Sequence, residues 1–174
     1  ASQLNLLLQT YPVATIKTGM LHSAELMRSA LDCLDQNNFC GHLIVDPVIQ
    51  SSSGNMLIDN EGIKLFRERF ISHSSVFTPN LNEAAILLDT PSVTMENFTR
   101  SAEKLYKKYN VPVLLKGGHL DAEEATDILI SEKGLRRYSA PFMQDRDPHG
   151  TGCTYSAAIA SYMALGHSIE KSVA

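Results

Sequence analysis

Residues 42–46 read HLIVD, a short aliphatic run that closes on a carboxylate. Apolar residues at consecutive positions suit a strand buried on both faces, the habit of parallel sheets, whereas a strand with one wet face alternates. Three further runs share this character: VATIK at 13–17, SVFT at 75–78 and VPVLLK at 111–116. Between them the apolar residues recur at helical spacing. Met27, Ala30, Leu31 and Leu34 fall at i, i+3, i+4 and i+7 behind Ser23 as an N-cap. Ile63, Phe66 and Phe70 mark a second helix, and Phe98, Ala102, Leu105, Tyr106 and Tyr109 a third. Strands alternating with helices predict right-handed crossovers and an open α/β sheet. Past LLKGGH the pattern changes: ATDILI and LRRYSAP flank SEKG, whose Gly134 suits a tight turn, and the segment reads as an antiparallel hairpin at one margin of the sheet. A last helix is expected to begin near Gly152, to bury Tyr155, Ala158, Ile159, Tyr162 and Met163, and to stop at Gly166.

The bulk composition narrows the function. At 174 residues and 44% hydrophobic, the chain can build one domain, 1–174, around a substantial core, and it carries no internal repeat or linker. Its net charge is -4 with lysine and arginine scattered, so no basic stripe is available to follow a phosphate backbone and nucleic acid is not an expected partner. No apolar run approaches the ~20 residues that span a bilayer, and ASQLNLLLQT lacks the basic start and cleavage pattern of a secretory leader. A soluble, cytoplasmic protein is expected. Three cysteines, an odd number at spacings unlike a zinc knuckle, read as reduced thiols, with Cys33 and Cys40 packing or surface residues. Cys153 differs because of its neighbours.

Ligands of open α/β sheets gather beyond the carboxyl ends of the strands, and the unusual residues of this chain cluster there. In HGTGC (149–153), Gly150 and Gly152 allow several N–H groups to converge on one anion at the positive end of a helix. No Walker loop occurs anywhere in the chain. The same helix end favours a thiolate over a thiol, so Cys153 can act as a proton acceptor; the alternative, a covalent nucleophile paired with His149, needs a third group to orient the histidine. TPNLNEA places Asn80 and Glu83 three residues apart at a strand end, where they can face a hydrated Mg²⁺. They read equally as a helix cap, with Asn80 or Asn82 closing the first turn and Glu83 favouring the dipole, and both readings stand at this point. Asp46 ends a buried run that has no use for a carboxylate unless as a site or a cap. Lys116 with Gly117 makes a small basic mouth, or a loop with a lysine reaching for water.

Taken in order and at these spacings, IKTGML, VDPVIQSSSG, TPNLNEA, LLKGGHL and HGTGCTYSAAIA resemble the hydroxymethylpyrimidine and phosphomethylpyrimidine kinases of thiamine biosynthesis, within the ribokinase-like superfamily. The resemblance runs through nearly the whole chain. It implies a ribokinase-like three-layer α/β fold, with a mostly parallel sheet, helices on both faces and the antiparallel hairpin near the C-terminal part. It further implies an ATP- and Mg²⁺-dependent enzyme that phosphorylates 4-amino-5-hydroxymethyl-2-methylpyrimidine and then its monophosphate. On this resemblance Cys153 matches the catalytic base, an aspartate in sugar-phosphorylating relatives. Gly150, Thr151 and Gly152 match the anion hole, and Asn80 with Glu83 the Mg²⁺ site. Asp46, Lys116 and Gly117 fall near the triphosphate, and Gly19 with Met20 border the pyrimidine. Two departures stand out: Pro148 replaces a threonine before the histidine of the glycine loop, and the glycine-rich opening and last helix of the family have no counterpart here. The expected partners are ATP, the pyrimidine and further copies of the chain, with neither nucleic acid nor membrane. Pyridoxal or pyridoxamine phosphorylation, and a catalytically silent nucleotide or pyrimidine sensor, are the alternatives.

Overall fold

Four parallel strands, β1 (Thr15–Thr18), β2 (His42–Val45), β3 (Val76–Phe77) and β4 (Val113–Lys116), lie side by side in chain order. The computed structural model describes residues 2–51, 54–118, 124–141 and 150–174. An antiparallel hairpin completes the six-stranded sheet: β5 (Glu124–Ser131) pairs with β4 in a register that sets Lys116 beside Asp127, and β6 (Gly134–Pro141) forms the margin. The parallel strands and the hairpin margin follow the sequence expectation, and Gly134 takes the left-handed conformation its turn requires (φ 93°).

Side chains alternate across each strand, and the two faces are buried by different helices. Leu43 and Val45 of β2, Val113 and Leu115 of β4, and Ile128 and Ile130 of β5 point into one core. That core is closed by Met27, Leu31 and Leu34 of α2 (Ala24–Gln36) and by Phe98, Ala102 and Leu105 of α5 (Phe98–Tyr109). The intervening residues, Ile44, Leu114 and Leu129, face the other way onto Ile159, Ala160 and Met163 of α6 (Thr151–Ala164) and Val173 of α7 (Ile169–Val173). This two-sided burial is why β2 and β4 read as unbroken apolar runs, and it yields the three layers expected of the fold.

Helix boundaries follow local chemistry. The Ser23 hydroxyl accepts from Leu26 N at 3.3 Å and opens α2. At the end of α6, Gly166 turns left-handed (φ 84°) while Gly166 N donates to Met163 O and His167 N to Tyr162 O, a Schellman closure that stops the helix where expected. Three expectations need correction. The stretch around Ile63, Phe66 and Phe70 is not one regular helix: α3 (Asn60–Leu65) widens into a π-helical turn at Phe66–Phe70 and then a 3₁₀ turn at Ile71–His73. On this turn Phe66 and Phe70 stack with centroids 5.8 Å apart, both buried. The buried face of α6 is also rotated from its expected phase. Ser156, Ile159, Ala160 and Met163 are buried and Tyr155 is half-buried, whereas Ala158 and Tyr162 face solvent. Finally, α7 and an N-terminal helix α1 (Ser2–Thr10), which buries none of its residues, were not signalled by periodicity. Among the described residues no helix is long and apolar enough to cross a membrane, and no disulfide joins the three cysteines.

Candidate active site

Because β1 to β4 run parallel and β5 returns antiparallel, Thr18, Asp46, Thr78, Lys116 and Asp127 all arrive at one edge of the sheet. Asp46 is the centre of this edge. It is 3% exposed, and its carboxylate is surrounded by donors from four elements. Lys116 Nζ lies 3.0 Å from Oδ1, where Thr78 Oγ1 also donates at 3.2 Å. Ser156 Oγ lies 3.1 Å from Oδ2, and Lys17 Nζ 3.6 Å from it. Burial by itself would raise this carboxyl's pKa, but the adjacent Lys116 charge and hydrogen bond, then Lys17 and Ser156, outweigh it and leave the group below its ordinary value.

Lys116 is the hub that joins the elements. Its backbone N donates to Pro79 O at 2.9 Å, which seats the start of α4 (Leu81–Leu88) against the end of β4. Its ammonium reaches the first turn of α6: a Cβ added at Gly152 would lie 3.1 Å from Nζ. A side chain at Gly152 would have to push the lysine head aside. Gly150 supplies the left-handed N-cap of α6 (φ 87°), and Thr151 and Cys153 are exposed on the same turn. First-turn N–H groups have no partner within their own helix and carry the positive end of its dipole, so a lysine and an amide turn converge on one place.

Asn80 and Glu83 form a complete capping box. Asn80 Oδ1 accepts from Glu83 N, and Glu83 Oε2 accepts from Asn80 N, each at 2.9 Å. The cap reading is therefore realised, yet Glu83 does more than cap. Its Oε1 accepts from Ile49 N at 3.2 Å and so fastens α4 to the loop that follows Asp46. That loop is strained: Val48, a β-branched residue, sits at φ 45°, a conformation that costs about 1–2 kcal/mol for a residue with a Cβ. Glu83 is 2% exposed, and burial pushes its carboxyl up despite the two N–H donors and the nearby Lys116 charge. Asp127 is likewise raised by burial, which the Gly117 N–H at 2.9 Å to Oδ1 and the Lys116 charge only partly offset. Gly117 itself has no room for a side chain, since an added Cβ would stand 2.0 Å from Thr126 O.

The residues expected at the site are thus brought to one edge, with differences in exposure. Gly19 follows β1, and its Cβ position is 3.5 Å from Lys17 Nζ; Met20 lies at the rim, 54% exposed. Beside them Thr18 Oγ1 is buried without a hydrogen-bond partner. Pro148 and His149 lie outside the described residues. Lys17 and Ser156 were missed by sequence reasoning. Lys17 closes the run VATIK one residue before the end of β1, so the strand-end rule that found Lys116 could have found it. Ser156 is a lone hydroxyl in the apolar stripe Gly152, Ser156, Ile159, Ala160, Met163, a pattern visible only once the helix phase is known. The edge is marked by charge, and a cleft of ≈ 540 Å³ lined by His42, Lys133 and His167 opens at the opposite edge of the sheet.

Comparison with known proteins shows the family and the fold. The family model described as phosphomethylpyrimidine kinase matches residues 1–174. A hydroxymethylpyrimidine/phosphomethylpyrimidine kinase of Aquifex aeolicus is 35% identical over 164 residues, covering 92% of this chain and 63% of its own length. The Escherichia coli protein of the same description is 34% identical, covering 92% and 60%. The chain therefore spans somewhat over half the length of these relatives. Among solved structures, phosphomethylpyrimidine kinase from Clostridium difficile superposes with a TM-score of 0.81 at 31% identity, covering 99% of this chain and 69% of that one. The ADP complex of Bacillus subtilis pyridoxal kinase superposes with a TM-score of 0.87 at 25% identity, covering 99% and 65%.

Proposed function

Because the chain belongs to the phosphomethylpyrimidine kinase family, we propose that it transfers the terminal phosphoryl group of ATP to the hydroxymethyl oxygen of 4-amino-5-hydroxymethyl-2-methylpyrimidine, and then a second phosphoryl group to the monophosphate, in thiamine biosynthesis. The observation that carries this reading is the meeting of Lys116 with the first turn of α6, 3.1 Å from the Cβ position of Gly152 and 3.0 Å from Asp46. A lysine, a first turn of helix amides and a carboxylate at one strand edge are the parts that phosphoryl transfer requires, since its catalysis is mostly alignment and charge neutralisation.

In this scheme the amides of Thr151, Gly152 and Cys153 hold the equatorial oxygens of the migrating group, and Lys116 neutralises charge on the bridging side. The Cys153 sulfur takes the alcohol proton as the hydroxymethyl oxygen attacks in line; the P–O bond to ADP breaks as the new one forms. Gly19 and Met20 border the ring, and the unpartnered hydroxyl of Thr18 offers it a polar contact. Among the described residues no three His, Cys, Asp or Glu side chains converge on a metal position. That suits Mg²⁺ arriving on phosphate oxygens, where it would neutralise their charge, with most of its remaining ligands water. Asn80 and Glu83 could hold the waters of such an ion: each acceptor oxygen holds one backbone N–H and has a lone pair left for a water.

Pyridoxal phosphorylation is a second reading, favoured by the TM-score of 0.87 against the pyridoxal kinase fold. Turnover of the two alcohols, compared under the same conditions, separates them. Cys153→Ala should leave ATP affinity nearly unchanged and lower turnover by roughly 10²-fold or more; wild-type turnover in that variant would remove the sulfur from the mechanism.

A further inference from the structure

Ser156 is 1% exposed and sits on α6 one turn beyond the amides that face the proposed phosphoryl group. Its hydroxyl has three acceptors within reach: Asp46 Oδ2 at 3.1 Å, Gly152 O at 3.0 Å and Cys153 O at 3.1 Å. A hydroxyl has one proton, so it serves one acceptor at a time. Back-bonding to the helix carbonyls is the ordinary fate of a helical serine. Here the third acceptor is an ionised carboxylate, and hydrogen bonds to charged acceptors are about twice as strong as neutral ones.

We propose that Ser156 is a positioning residue, whose hydroxyl donates to Asp46 Oδ2 and so fixes the amide turn of α6 against the end of β2, where the lysines of β1 and β4 meet. This rests on the kinase reading and extends it to a residue that touches neither substrate. The need for such a tie follows from the charge arrangement. Lys116 and Lys17 both lean on Asp46. An incoming polyphosphate competes for the same ammonium groups, and each lysine that turns towards it withdraws a counter-charge from a carboxylate that water does not reach. Ser156 and Thr78 are uncharged donors and stay. Oδ2 depends on Ser156 more than Oδ1 does on Thr78, because its lysine stands at 3.6 Å whereas Lys116 is within hydrogen-bond distance of Oδ1. The tie also spans 110 residues of chain, from α6 to the end of β2, so it sets an orientation that local helix geometry cannot.

The test is a double-mutant cycle of Ser156→Ala, Asp46→Asn and the pair, read by kcat, KM and the titration of the Asp46 carboxyl carbon by NMR. Ser156→Ala should lower kcat about tenfold with KM for both substrates within about twofold, and should add little in the Asp46→Asn background. It should also move the Asp46 midpoint upward. Additive losses, or a kcat within about twofold of wild type, would overturn the proposal, because the hydroxyl would then serve only the helix carbonyls. The titration is independent of turnover. If the wild-type protein phosphorylates neither alcohol, the kinase reading fails while a shifted Asp46 midpoint still upholds the tie; an unmoved midpoint in an active enzyme sinks the tie alone.

Discussion

The adjacent glycines of LLKGGH separate two reasons for lacking a side chain, and they can be tested against each other. Gly117→Ala would set a methyl 2.0 Å from Thr126 O, 3.2 Å from Thr126 C and 2.8 Å from Phe98 Cζ. Two of these three atoms belong to the backbone of β5, which is bonded on one side to β4 and on the other to β6. Relief therefore requires moving a central strand by more than 1 Å relative to ordinary contact, or swinging the Gly117 N–H off Asp127. Overpacking in a firm core costs about 1–3 kcal/mol and more where backbone must move, so about 3 kcal/mol is expected. For a chain of this size that is a fall of about 6–12 °C in Tm. Gly118→Ala meets nothing within 4 Å among the described residues but forces a Cβ residue to φ 54°. Its cost is the backbone term alone, about 1–2 kcal/mol. Thermal and denaturant unfolding of the two variants gives the comparison. A Gly117→Ala protein that melts at or above the temperature of Gly118→Ala would refute the crowding argument.

Lys116→Met removes the closest charge from a buried carboxylate and should destabilise the protein at pH 7 by about 3 kcal/mol, the lower end for a broken buried pair because Lys17 remains. The folded pKa of Asp46 is depressed, so its stabilisation is present above the unfolded value of about 3.9 and is lost as pH falls through the lower folded value. The gap between wild type and variant should accordingly shrink in acid; a gap constant from pH 7 to pH 3 would contradict the ion-pair origin. Glu83→Gln leaves one of two backbone N–H groups, Ile49 or Asn80, facing an amide nitrogen and should cost about 1–2 kcal/mol in urea unfolding. The same variant should need more Mg²⁺ for half-maximal turnover, and an unchanged metal requirement would take Glu83 out of the metal's surroundings.

The parts of this fold that could be read from sequence are those set by local pattern. Within HLIVD and VPVLLK the residues LIV and VLL are apolar without a break because both faces of β2 and β4 are covered, and SEKG announces its hairpin through Gly134. The phase of α6 was not readable, because Ala, Ser and Tyr alternate in SAAIASYMA and no strongly polar residue marks the wet face. That error hid Ser156, whose value depends on a partner 110 residues away. The widening at Phe66–Phe70 is a change of backbone hydrogen bonding that the spacing of apolar side chains does not encode. At the site, strand ends betrayed Asp46 and Lys116, since a charge that closes a buried run needs a reason. The second hydrogen bond of Glu83, to Ile49 across 34 residues, and the strained turn at Val48 that presents that N–H are tertiary facts with no local trace.

The most direct measurement is the crystal structure of the protein with a non-hydrolysable ATP analogue and Mg²⁺. The terminal phosphate should lie about 3 Å from first-turn amides of α6 and from Lys116 Nζ, with Cys153 beside it. A terminal phosphate bound in the His42–His167 cleft at the other edge of the sheet, with Lys116 still on Asp46, would contradict the assignment of this strand edge to phosphoryl transfer.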